Sequence, residues 1–240
     1  MKIQLIGTGN MVSTRNSAST LINEHILFDV PNGCLKGMIK QNIDVSKIDT
    51  FIISHTHGDH NFDMPFVLLN DHPNCDEKHP LKIITDEVSK QSIKSLITAS
   101  HFFDNIEEPE QKYIDISEVD NMEIINGLDI QIEKMSHKGV KFATGYILKD
   151  GKVSLGLTGD TGMCEGVERL ASKVDYLIAD MSKEEGNEAH MGINDIQELL
   201  SKNPKLKIIP THMHDRTREI AKGLNIDNLI ILDDGGILNI

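Results

Sequence analysis

Ser54-His55-Thr56-His57-Gly58-Asp59-His60 follows directly on the apolar run Phe51-Ile52-Ile53. Three of the chain's 11 histidines, together with an aspartate, crowd into this one stretch. On an extended strand exit, side chains two apart point the same way, so His55 and His57 can converge on one cation as neutral imidazoles. Gly58 is free to take positive φ, which would turn the chain and present Asp59 and His60 as a second set of ligands. Imidazole and carboxylate are the donors that borderline divalent metals prefer, and zinc, manganese and iron all use them. A solvated polar loop is the plainer alternative, but so dense a histidine cluster beside an aspartate favours metal.

Working outward, short apolar runs recur, and several end in a residue of chemical interest. Ile26-Leu27-Phe28 precedes Asp29, Val153 to Leu157 precedes Asp160, Tyr176 to Ala179 precedes Asp180, and Lys207-Ile208-Ile209 runs towards Thr211-His212. With Ile3 to Ile6, Phe51 to Ile53, Leu81 to Ile84, Ile130 to Glu133 and Tyr146 to Leu148, these read as strands. Helical patterns cover 86–99, 167–173, 194–201 and 216–222, and Asn194 with Gln197 has the spacing of a capping box. Strands interleaved with helices predict an α/β layered fold, taken as one domain over 1–240. The polar segments 70–80, with His72 and His79, and 104–110 read as surface loops, the first in a position to cover a site.

The chain has 240 residues, enough to bury a sizeable core. Its three cysteines, Cys34, Cys75 and Cys164, form no CxxC and no even set, so neither a disulfide framework nor a cysteine zinc knot is expected. No secretory leader pattern opens the sequence and no apolar segment approaches the roughly 20 residues needed to span a bilayer, which predicts a soluble, cytoplasmic protein. A formal net charge of −13 opposes non-specific attraction to polyphosphate. That disfavours large nucleic acid as a partner without excluding it, and leaves a small anionic substrate open where bound cations offset the acidic groups.

His55-x-His57-x-Asp59-His60 resembles the signature of the metallo-β-lactamase superfamily. The resemblance implies a four-layer αβ/βα sandwich with a dinuclear site at one edge of two packed sheets. Carried over position by position, it implies His55, His57 and His137 on one metal, Asp59, His60 and His212 on the other, and Asp160 between them. Asp29 would support the metal loop. The cofactor implied is two divalent ions, zinc first, with manganese or iron as alternatives. His214 is a rival to His212, and Asp160, in a Gly-Asp-Thr turn, has turn chemistry as its plain reading. Two metals about 3.5 to 4 Å apart clamp the oxygens of a displacement and ionise a bridging water at neutral pH, so the reaction implied is hydrolysis at phosphorus or carbonyl.

Leu5-Ile6-Gly7-Thr8-Gly9, Arg15-Asn16-Ser17-Ala18-Ser19 and Phe28-Asp29-Val30-Pro31-Asn32-Gly33 are similar to the ribonuclease Z and small phosphodiesterase branch. Tyr176 to Asp180 with Ala189-His190-Met191 resembles that branch's acidic residue and following histidine, which implies catalytic roles for Asp180 and His190 beside Asp59, with His190 moving the proton. Glu184 is an alternative partner for His190. Only 22 residues separate His137 from Asp160, too few for the long arm with which ribonuclease Z grips transfer RNA. Asn61-Phe62-Asp63-Met64-Pro65 also departs from the glycine-containing step that often follows the motif. A small phosphodiester or cyclic nucleotide is therefore the leading substrate class. A lactone or thioester, or ribonuclease Z-like RNA processing without the arm, is the alternative, and a homodimer is compatible with the resemblance. A metal-binding protein without turnover is a further reading; a di-iron oxidoreductase would have a glutamate in the motif, which is missing here. Arg15 is expected to pair with substrate phosphate or with a metal-loop aspartate, or to be solvated, and Cys164 is expected to be a small packed thiol.

Overall fold

The computed structural model describes residues 1–71, 81–102, 114–118 and 122–240. The strands are β1 (Lys2–Gly7), β2 (Ser19–Ile22), β3 (Ile26–Phe28), β4 (Thr50–Ile52), β5 (Leu81–Thr85), β6 (Ile114–Glu118), β7 (Met122–Ile125), β8 (Leu128–Lys134), β9 (Thr144–Lys149), β10 (Ser154–Leu157), β11 (Tyr176–Asp180), β12 (Lys207–Thr211) and β13 (Ile237–Asn239). Among the described residues they form two sheets, in the orders β13-β1-β2-β3-β4-β5-β6 and β12-β11-β10-β9-β8-β7.

Period-two alternation explains why the two sheets pack together and why each also needs helices outside. In β4 and the residue after it, Ile52 enters the core between the sheets while Phe51 and Ile53 face the other way. In β11, Ile178 points between the sheets while Leu177 and Ala179 point outward. Strands apolar on both faces must be covered on both. Helices Cys34–Lys40, Met64–Asp71 and Glu87–Ala99 cover the first sheet through Met38, Val67 and Ile93. Helices Glu165–Ala171, Ile193–Lys202 and Asp215–Gly223 cover the second through Leu170, Leu199 and Ala221. Three apolar layers between four layers of structure make the αβ/βα sandwich of the metallo-β-lactamase fold. Each fully buried Ile or Leu in them stabilises the fold by roughly 1.5 to 3 kcal/mol.

β2, β6, β7 and β13 escape the sequence pattern. β13 pairs antiparallel with β1, with Lys2 opposite Asn239, so its partner lies at the far end of the chain. Residues 70–71 complete a helix and do not open a loop. The remainder of that expected loop, with His72, Cys75 and His79, and the loop 104–110 lie outside the described residues. The cap of the helix Ile193–Lys202 is Gly192, whose N–H donates to Asp195 Oδ2 at 2.8 Å. Asn194 instead accepts from Gly186 N–H through its side chain at 3.0 Å, because it lies inside the first turn and faces the preceding loop.

The strand directions place the site. β3, β4 and β5 run parallel in one sheet, β10, β11 and β12 run parallel in the other, and β8 reaches β10 through two antiparallel steps. Asp29, His55, His137, Asp160, Asp180 and His212 therefore all lie at or just beyond the carboxyl ends of strands, gathered at one edge. The sheets are joined at this edge by Thr144 N–H donating to Ser54 O at 2.9 Å.

Candidate metal centre

One ligand atom each from His55, His57 and His137 lies within 4.8 Å of the other two. The same holds for His55, His60 and Asp160, for Asp59, His60 and His212, and for Asp160, Asp180, His190 and His212. The seven donors named from the motif thus form one continuous cluster. His57 is exposed, the other imidazoles are buried, and Asp160 is 3 % exposed. His137 Nε2 faces His57 Nδ1 at 3.2 Å. Asp160 Oδ2 stands 3.3 Å from both His60 Nε2 and His212 Nε2, and Asp59 Oδ2 is also 3.3 Å from His212 Nε2. His214, the rival to His212, caps the helix Asp215–Gly223 and lines the cavity outside these groups.

The inner nitrogens are oriented from behind. His60 Nδ1 donates to Asp29 Oδ2 at 2.8 Å, and Asp29 also accepts from Ser54 N–H and Ser54 Oγ, each at 2.8 Å. His137 Nδ1 donates to the Ala189 carbonyl at 2.6 Å. Such contacts set the tautomer, leaving the other nitrogen to act as a ligand. His55 Nε2 and His60 Nε2 are buried without a hydrogen-bond partner, which a buried polar atom rarely tolerates. Orphaned imidazole nitrogens beside two carboxylates fit divalent cations, and zinc, manganese or iron would suit this donor set.

The charge balance agrees. Burial lowers the proton affinity of His55, His57 and His137, reinforced in His55 by His60 and in His57 by His137, so these rings are neutral and ready to coordinate. Burial also works against ionised carboxyls, but His212 and His60 outweigh it and hold Asp160 well below the usual range, and the His212 bond brings Asp59 down to about 2. His60 runs the other way: burial lowers it, but Asp160 and Asp29 raise it well above normal. The field that draws a proton to His60 draws a cation equally well.

Backbone strain marks the same place. Asp29 and His212 adopt left-handed φ values of 57° and 56°, a conformation that costs a non-glycine residue on the order of 1 kcal/mol or more. Gly58, in contrast, has no positive φ. It opens the helix Gly58–Asn61, and a Cβ there would lie 2.6 Å from the Phe62 ring. The motif's glycine is needed for space and not for a left-handed turn, and Phe62, at the departure from the family's usual step, takes that space.

His190 Nδ1 lies 2.9 Å from Asp180 Oδ2, and its ring stacks on His212 with centroids 5.1 Å apart. Glu184, the alternative partner, instead pairs with Arg216 at 2.7 Å. Burial, reinforced by the Asp160 charge, pushes Asp180 up, while burial pushes His190 down. Arg15 pairs with no metal-loop aspartate among the described residues. Its guanidinium bonds Asp215 Oδ1 and the Met213 carbonyl, fastening the N-terminal loop to the segment after His212. Cys164 packs against the outer core of the second sheet. Sequence reasoning missed Ser54 and the Ala189 carbonyl, and a backbone acceptor leaves no mark in side-chain identity. A cavity of about 350 Å³ opens over the cluster, lined by His57, Asp59, His137, Asp160, His190 and His212 and, on its rim, by Met11 and Val12.

Human tRNase Z, short form, matches with a TM-score of 0.77 at 16% identity, covering 100% of this chain and 99% of that one. A diphosphatase of the PhnP family matches with a TM-score of 0.76 at 14% identity, covering 100% and 97%. Ribonuclease Z of Sulfurisphaera tokodaii is 24% identical over 228 residues, 78% of each chain. The protein is a metallo-hydrolase of the metallo-β-lactamase fold, on the ribonuclease Z side of that superfamily. Within it, the family model described as Anti-Pycsar protein Apyc1 matches residues 1–231, and the chain belongs to that family.

Proposed function

We propose that this protein hydrolyses a small phosphodiester, such as a cyclic nucleotide, with two divalent ions held by His55, His57 and His137 and by Asp59, His60 and His212, with Asp160 between them. The observation that carries the reading is the Asp180–His190 pair stacked on His212 at the cavity. When bound, the ions would supply Lewis acidity and an ionised water at neutral pH. The chain's own contribution is then to hold the phosphorus against the cluster and to deliver a proton to the leaving oxygen. Asp180 orients His190 through Nδ1, so Nε2 is the atom that transfers the proton.

A small substrate is supported by the 22 residues between His137 and Asp160. They form β9, a tight turn and β10, with no arm that could grip a folded RNA. The ribonuclease Z relatives support RNA end-processing as the second reading. Elemental analysis of purified protein, followed by a turnover screen of cyclic nucleotides, bis(p-nitrophenyl) phosphate, precursor transfer RNA, lactones and thioesters, tests the assignment. Turnover of small phosphodiesters above the rest is expected, and activity on lactones or thioesters alone would overturn it.

A further inference from the structure

The cavity is lined by two lysines, Lys138 and Lys183, and they differ in one respect. Lys138 is largely exposed and pairs with Glu188 at 2.5 Å. Lys183 is half-buried and has no carboxylate partner among the described residues. The nearby arginines are committed elsewhere: Arg15 to Asp215, Arg216 to Glu184 and Arg218 to Asp233. In a chain of net charge −13, acidic partners are plentiful, so a cation facing the cavity without one is free to meet an anion arriving from outside.

The backbone holds Lys183 in place. Its N–H donates to the Met191 carbonyl at 3.4 Å, and its own carbonyl accepts from Ile193 N–H at 3.1 Å, closing a bridge with Gly192. That bridge fixes Lys183 to the segment carrying His190, three residues beyond Asp180. Lys183 lines the cavity together with His190 and His214. It therefore faces the part of the cavity where the leaving group would depart.

We propose that Lys183 is the substrate's anion anchor, its ammonium donating to a non-bridging oxygen of the phosphodiester and holding the phosphorus in register with His190. This rests on the phosphodiester reading. A charge-assisted contact made alike in the bound and reacting states acts mainly on affinity.

The test compares metal-loaded wild type with Lys183→Met and Lys183→Arg, using bis(p-nitrophenyl) phosphate as the probe and recording KM, kcat, metal content and the dependence of KM on sodium chloride. Lys183→Met should raise KM by about 10- to 100-fold with a much smaller change in kcat, leave metal content intact and flatten the salt dependence, while Lys183→Arg restores most of the affinity. An unchanged KM in Lys183→Met, with wild type active, overturns the anchor and leaves the phosphodiester reading standing. Loss of metal in Lys183→Met that Lys183→Arg does not reverse assigns the residue a structural role and overturns the anchor too. A wild type that turns over lactones and no phosphodiester overturns both readings.

Discussion

Asp180 Oδ2 meets His190 Nδ1 at 2.9 Å while the same carboxyl group accepts from two backbone donors, Ser182 N–H at 2.9 Å and Thr161 N–H at 3.2 Å. The carboxyl is pinned from the main chain, so the imidazole is oriented by a group that cannot rotate away. Asp180→Asn can keep the backbone contacts but offers His190 an amide N–H, favouring the wrong tautomer. Both His190→Ala and Asp180→Asn should lower kcat by roughly 10²- to 10⁴-fold with metal content near normal. The double variant should be little worse than either single one, since the two act as a unit. Additive losses in a double-mutant cycle would separate them.

His57 stands on the opposite footing. It is a donor in the first candidate metal group and takes no part in the Asp180 pair. His57→Ala should lose most bound metal and activity together, as read by elemental analysis beside turnover. Equal metal loss in His57→Ala and His190→Ala would remove the distinction between ligand and proton donor.

Asp29 accepts from Ser54 twice and from His60 once, all within the buried edge. Asn at position 29 tolerates the left-handed φ but cannot offer the same acceptors to all three donors. Metal affinity in Asp29→Asn should fall by about 10- to 100-fold, the usual effect of losing a group that orients a ligand. Competition with a chelator measures it, and an unaltered affinity would mean that the backbone alone orients His60.

Gly159 has φ 60°, and a Cβ there would lie 2.4 Å from Ser54 Cβ. Gly159→Ala therefore combines left-handed strain with overpacking against the residue that Asp29 holds, a cost of roughly 2 to 5 kcal/mol. A lower denaturant midpoint together with weaker metal retention is expected. A midpoint within about 0.5 kcal/mol of wild type would show that the Ser54 edge yields easily.

Glu133 lies against Lys173 and Arg169, at 2.6 and 3.1 Å. Burial raises its carboxyl, but the two cations win and leave it below its ordinary value of 4.5. Because the folded value is depressed, the contribution is fully present above the unfolded value and is lost as pH falls through the folded one. Both cations are nearly half-exposed, so the contribution is under about 1 kcal/mol. Glu133→Gln should be slightly less stable than wild type at neutral pH, with the gap closing below about pH 4, as followed by urea unfolding at each pH. A gap that persists in acid would assign the effect to packing.

Much of this site is legible in the chain because His55 to His60 compresses four donors into one strand exit, and because Asp29, Asp160, Asp180 and His212 each end an apolar run. Short apolar runs likewise reveal Ile26 to Phe28 and Tyr176 to Asp180, which are buried along nearly their whole length. The rest depends on distant pairing. β13 exists because Lys2 finds Asn239, Arg15 is claimed by Asp215 some 200 positions away, and Gly58 is set by where the Phe62 ring comes to rest. Local pattern carries no record of such meetings. Asn194 shows the converse: its spacing to Gln197 suits a cap, yet the preceding loop already places Gly192 there.

The Ala189 carbonyl that steadies His137 is followed, one peptide bond later, by His190. On the roles proposed above, a ligand's aim and a proton's delivery therefore hang on adjacent peptide units, and a displacement of this short loop would disturb both imidazoles together.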